Sequence, residues 1–254
     1  MMPHYELTGP EGAEVVVLSN SLGTDLSLWD DQEPALAERF RVLRYDQRGH
    51  GRSSAPPGPY GLADLGGDVL ELLDSLGIER AHFAGVSLGG MTGMWLAERH
   101  PDRIGRLALL CTSASLTPAS AWRERAAQAR EHGTKSLVDG SVSRWFTPAT
   151  AAKPEIAEKF GNMVTECSDE GYAGCAEAIA EMDLLPKLGE ITAPTLVIAG
   201  RDDPATPPPH AELIGAESPG AQVEILSDAS HLANAERPEP VNRLLLHHFT
   251  RSIR

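Results

Sequence analysis

At 254 residues and a formal charge of −14, the chain can bury a substantial core without staples, and its acidic surplus repels nucleic acid and anionic membrane surfaces. No apolar run approaches the ~20 residues that span a bilayer, so no membrane partner is expected. Cys111, Cys167 and Cys175 have no metal-ligand spacing and cannot all pair, and Met1-Met2-Pro3-His4 opens no signal peptide, so the expected home is a reducing cytoplasm, with packing roles for the thiols.

In chain order, Val15-Val16-Val17-Leu18 is a continuous apolar run of the kind a strand buried on both faces requires. Arg41–Tyr45 suits a second strand and runs into the turn Asp46-Gln47-Arg48-Gly49-His50-Gly51. Leu65, Val69, Leu72, Leu73 and Leu76 recur at helical spacing over Leu62–Leu76, with Gly77 as the stop. Arg80–Ala84 is a third strand, and Met91–Arg99 a helix. Ile104–Cys111, Thr195–Ala199 and Gln222–Leu226 supply further strands, and Val241–Phe249 a closing helix. Strands alternating with helices predict an α/β fold with a mostly parallel sheet flanked by helices.

Residues 118–185 break that rhythm. They contain no convincing strand and are bounded by Pro118 and Pro186, which predicts an inserted helical cap between core segments 1–117 and 186–254. Residues 118–159 hold seven Lys/Arg against five Asp/Glu, and residues 160–185 none against six. Open α/β sheets bind ligands beyond the strand ends, where this cap would sit.

Between the third strand and its helix lies Gly85-Val86-Ser87-Leu88-Gly89. A serine hydroxyl is a poor nucleophile at neutral pH, so its surroundings must expose and deprotonate it. Glycines on both sides permit the sharp strand-to-helix turn that exposes Ser87. A base and an acid should follow in the order Ser, acid, His. Of nine histidines, His231 lies in the small-residue loop after the last strand, at the carboxyl edge of the sheet. His247 and His248 belong to the closing helix and point elsewhere, and His210 is expected to be exposed. Asp203, stiffened by Pro204, is the expected acid, with Asp202 as runner-up and Asp228 behind both. Backbone N–H groups of Leu22 and Leu88 would form the oxyanion hole, one from the loop after the first strand and one from the start of a helix.

With Ser87, Asp203 and His231 in this order, the chain resembles the α/β-hydrolase fold over nearly its full length. Ser19-Asn20-Ser21-Leu22-Gly23-Thr24, Tyr45–Gly51, Arg144-Trp145-Phe146, Glu170–Cys175 and Ala199–Pro207 resemble the 3-oxoadipate enol-lactonases of bacterial aromatic catabolism. Asn20-Ser21 stands where many hydrolases of this fold carry His-Gly, and the amino terminus leaves little room for a full leading hairpin.

The resemblance implies hydrolysis of a small anionic lactone with no cofactor and no metal, by Ser87, His231 and Asp203, either through an acyl-enzyme or by direct attack of water. Its free carboxylate needs a cation within the −14 background. Arg144, beside Trp145, is the expected grip, because a guanidinium can hold a carboxylate with two parallel bonds. Trp122 and Arg123 form a second such pair, and Arg48 is expected to pin its own loop. A general carboxylesterase, a cofactor-free perhydrolase and a ligand-binding receptor of the same fold share these core motifs. The sequence leaves a homo-oligomer open.

Overall fold

Seven strands form one sheet in the computed structural model, which describes residues 1–251. They are β1 (Tyr5–Thr8), β2 (Val15–Ser19), β3 (Arg41–Tyr45), β4 (Ala81–Val86), β5 (Ile104–Leu110), β6 (Thr195–Gly200) and β7 (Gln222–Leu226), in spatial order β1-β3-β2-β4-β5-β6-β7. The central strands β4, β5 and β6 are buried at every position, which is why they read as unbroken apolar runs. Only β1 is antiparallel, pairing Tyr5–Thr8 with Tyr45–Val42. The sequence gives no sign of this strand: it is four half-exposed residues, and its only partner lies beyond β2. Among the described residues β1 is the edge strand on this side of the sheet.

Helices α1 (Glu33–Ala37), α2 (Leu62–Ser75) and α3 (Leu88–Arg99) lie in the first half of the chain. The stretch between β5 and β6 contributes α4 (Ala119–His132), α5 (Val138–Trp145), α6 (Pro148–Ala151), α7 (Pro154–Glu166) and α8 (Asp169–Glu181). After β6 come α9 (Pro208–Glu217), α10 (Ala233–Glu236) and α11 (Pro238–Thr250). Helix α2 packs on α3, and α11 on α1 and β5, so the sheet is sandwiched between helical layers. Among the described residues, no helix is long and apolar enough to cross a membrane.

The inserted helices form a lid, and its ties to the core include the following. A single antiparallel bridge, Ser115 with Asp183, closes the entry and exit of the insertion. Gly49 and Gly171 touch backbone to backbone, so that a Cβ on either would lie 2.3 Å from the other's Cα, and Ser168 N–H donates to Gly49 O at 2.9 Å. At the far side, Leu232 N–H donates to Trp145 O at 2.9 Å and Ser230 Oγ to Arg144 O at 3.1 Å. The uneven charge of the insertion also finds its reason here. Basic α4 packs along acidic α8, where Arg130 pairs with Glu170 and Glu177, and Arg123 with Glu181. Exposed pairs of this kind contribute little stability, about 0–1 kcal/mol each, so they orient α4 on α8 more than they hold it there.

Candidate active site

Ser87 sits between the last residue of β4 and the first of α3, with φ 53° and ψ −112°. A side chain at positive φ is strained, and the neighbours hold it there. Ser87 N–H donates to Leu110 O at 2.9 Å, and Thr112 Oγ1 donates to Ser87 O at 2.6 Å. The flanking glycines are required sterically. A Cβ on Gly85 would lie 2.2 Å from Gly89 C, and one on Gly89 would lie 2.3 Å from Ser19 O. The turn thus lifts Ser87 Oγ into a pocket beneath the lid.

His231 occupies the loop after β7, in the same pocket and 4% exposed. Its Nδ1 lies 2.8 Å from Asp203 Oδ2. Because a carboxylate only accepts, Nδ1 carries the proton, and the Nε2 lone pair is left free to act as a base. Asp203 is itself held by the loop after β6. Its Oδ1 accepts from Ala205 and Thr206 N–H at 2.7 and 3.0 Å, and its Oδ2 accepts from Thr206 Oγ1 at 2.8 Å. Burial alone would raise the Asp203 pKa, but His231 and the Thr206 donors overcome it and hold the carboxyl below its ordinary value. Asp202 is exposed, and Asp228 faces solvent beside Arg237, 3.4 Å away, so neither reaches the imidazole. His248 is buried at the far end of the sheet, near His82 and Arg106. His210, expected to be exposed, is instead half-buried, with Nδ1 2.7 Å from Ser113 Oγ. Helix α9, which carries this residue, packs on β6 and β7, and the bond to Ser113 holds the imidazole against the protein.

The two expected backbone donors, Leu22 and Leu88, lie on segments that border Ser87. Leu88 is the first residue of α3, where an N–H has no partner within the helix and the helix dipole is positive. Leu22 belongs to the loop after β2, drawn against the start of α3 by Gly89 N–H donating to Asn20 O at 3.0 Å. Asn20 Nδ2 in turn donates to Tyr45 O at 2.7 Å. This use of Asn20 explains how a loop without His-Gly keeps its shape. Among the described residues, neither the Leu22 nor the Leu88 N–H is spent on a protein acceptor.

The lid side of the pocket carries Trp122 and Arg125 from α4, Arg144 and Trp145 from α5, and Tyr172 from α8. Arg144 has no carboxylate within ion-pair distance among the described residues; burial first, and then neighbouring Arg125, push its pKa down. Arg125 donates from Nε to Tyr172 Oη at 2.6 Å and from Nη2 to Ser141 Oγ at 2.8 Å, and among the described residues it too meets no carboxylate. Arg123 is not in the pocket: it pairs with Glu181 on the surface. On a helix, the residue sharing a face with Trp122 is three positions on, not one, and that spacing is the signal by which Arg125 could have been found. Arg48 turns away from the pocket and bonds Asp68 through Nε and Nη2 at 2.7 and 2.8 Å, pinning its own loop.

The chain as a whole is similar to known proteins. Residues 14–138 match the model of the α/β hydrolase fold family. The sequence is 41% identical over 240 residues to 3-oxoadipate enol-lactonase 2 of Acinetobacter baylyi, covering 94% of this chain and 90% of that one. A solved enol-lactonase from Burkholderia xenovorans superposes with a TM-score of 0.95 at 43% identity, covering 98% and 96% of the two chains. A hydrolase from Pseudomonas aeruginosa superposes with a TM-score of 0.94 at 47% identity, covering 97% and 94%.

Proposed function

We propose, for a chain that belongs to the α/β-hydrolase family and to its enol-lactonase branch, that it hydrolyses 3-oxoadipate enol-lactone to 3-oxoadipate through a Ser-His-Asp triad. The observation that carries this reading is a single pocket joining two kinds of group. Ser87 and His231 lie at its floor, and two guanidiniums without carboxylate partners line its roof. Acyl-transfer chemistry needs the first pair, and a substrate bearing a free carboxylate needs the second.

In this reading Ser87 Oγ attacks the ring carbonyl while its proton passes to His231 Nε2, and Asp203 stabilises the imidazolium that forms. The carbonyl oxygen becomes an oxyanion held by Leu22 and Leu88 N–H, each donor contributing about 2.7–4 kcal/mol in the transition state. Collapse breaks the ring C–O bond and expels an enolate, which takes the proton from His231 and becomes a ketone. That ketonisation makes ring opening hard to reverse. His231 then deprotonates a water that attacks the acyl-enzyme, and Ser87 leaves with its proton restored. The product carries two carboxylates where the lactone carried one.

Arg144 grips the side-chain carboxylate, with Arg125 behind it and Trp122 and Trp145 flanking the ring. Three unpaired, buried cysteines support a reducing, cytoplasmic location for this activity. Following the ultraviolet absorbance of the enol-lactone with purified protein tests the reading. The lactone should turn over with a higher kcat/KM than simple aryl esters, and the opposite ranking would favour a general carboxylesterase.

A further inference from the structure

Behind the pocket, His50 is fully buried and cannot touch a substrate, yet both of its ring nitrogens are engaged. Gly23 N–H lies 2.9 Å from Nε2, and Arg48 O lies 3.0 Å from Nδ1. The two partners have fixed roles: a backbone N–H only donates and a carbonyl only accepts. Nδ1 therefore carries the proton and Nε2 accepts, with no freedom in the tautomer. Burial, the dominant influence, lowers the His50 pKa and favours this neutral form.

The bond to Gly23 falls at a sensitive point. Gly23 has φ +85° and follows Leu22 directly, so its N–H belongs to the peptide plane on the carboxyl side of the proposed oxyanion donor. On the other side of Leu22, Asn20 O is tied to Gly89 N–H and to Gln47 Nε2. Ser21 O is tied to Thr24, from N at 3.2 Å and from Oγ1 at 2.9 Å. The Leu22 N–H belongs to the 21–22 peptide, which Thr24 holds by its carbonyl, and the next peptide, 22–23, is held by one imidazole lone pair. Tyr172 of the lid stacks on that imidazole, with ring centroids 6.4 Å apart and planes at 29°.

We infer that His50 is a positioning residue for catalysis: through Gly23 it aims the Leu22 N–H at the oxyanion. Without that acceptor the 22–23 peptide can turn, and because it shares the Leu22 Cα with the peptide that carries the donor, the N–H loses its aim; Leu22 then contributes less in the transition state while ground-state binding is little altered. This inference rests on the Ser87 and Leu22 parts of the proposed function and not on the lactone as substrate. Its test therefore uses an aryl acetate and phenylboronic acid, which bonds to the serine and mimics the tetrahedral oxyanion.

The informative pair is His50→Gln and His50→Asn. Gln Oε1 reaches the position of Nε2 and can accept from Gly23, whereas Asn Oδ1 is too short to do so. His50→Asn is expected to lower kcat on the aryl acetate about 100-fold, the loss typical of one oxyanion donor, with KM changed less than about threefold. It should weaken phenylboronic acid by a similar factor while leaving acetate, a product, bound as in the wild type. His50→Gln is expected to keep kcat within about tenfold of the wild type. Equal losses in the two variants, a full kcat in His50→Asn, or a loss expressed in KM alone would overturn the inference. Should the Asn variant fail to fold, the Gln variant decides alone: a folded His50→Gln protein with acetate binding intact and kcat down 100-fold or more would overturn it as well.

Discussion

Asp203 Oδ2 and His231 Nδ1 meet at 2.8 Å although 28 residues separate them in sequence, one on the loop after β6 and the other on the loop after β7. Parallel strands place both loops at the same edge of the sheet, beside the turn that carries Ser87. The carboxylate selects the tautomer that leaves Nε2 basic, and its charge stabilises the imidazole once it is protonated.

Asp203→Asn should therefore leave the fold and KM nearly unchanged while lowering kcat roughly 10³–10⁴-fold, since an amide can hold the imidazole in the wrong tautomer. Steady-state kinetics at neutral pH checks this. A loss below tenfold would show that the imidazole is oriented by other groups, Thr206 being the nearest.

Arg144→Gln should remove selectivity rather than chemistry. A charge-assisted hydrogen bond contributes about 1.5–3 kcal/mol, which corresponds to roughly 10–150-fold in kcat/KM for a carboxylated lactone. A neutral aryl ester should show no such loss. Arg125→Gln should have a smaller effect on binding, because Arg125 is already committed to Tyr172 and Ser141. Comparing the two substrates across the two variants separates carboxylate recognition from general damage to the pocket.

Much of this site is written locally in the chain. The unbroken apolar runs of β4 and β6, the glycines around Ser87 and the stiffened Asp203-Pro204 are all readable because each has its cause within a few residues. What depends on distant packing is not readable in that way. β1 becomes a strand only because β3 offers it an edge, and His50 acquires its role from Gly23, 27 residues earlier. Arg125 lies between these cases. Its spacing from Trp122 marks a shared helix face, but its place in the pocket depends on Tyr172, 47 residues on.

Acid stability should depend in part on a group far from the pocket. His248 is buried on α11, and burial, followed by Arg106, lowers its pKa to about 4. In the unfolded chain the imidazole takes up a proton near pH 6.5, so between about pH 6.5 and 4 the unfolded state binds more protons than the folded one. Stability should consequently fall across that window, by on the order of 3 kcal/mol from this residue, and the contribution should flatten below pH 4. His248→Phe should reduce that fall in urea titrations at pH 7 and pH 4.5. Asp203 acts in a separate window: its lowered pKa contributes stability above the unfolded carboxyl value, about 3.9, that is lost only as pH falls through the folded value.

If Ser87 is the nucleophile of an enol-lactone hydrolase, one paired measurement should show it. The loss of enol-lactone ultraviolet absorbance is followed with wild-type protein and with Ser87→Ala at equal concentration, after circular dichroism has shown both to be folded. Steady turnover is expected of the wild type and a rate at least about 10³-fold lower of the variant, leaving only what the oxyanion donors and binding provide. Lactone hydrolysis by Ser87→Ala at a rate near that of the wild type would contradict it.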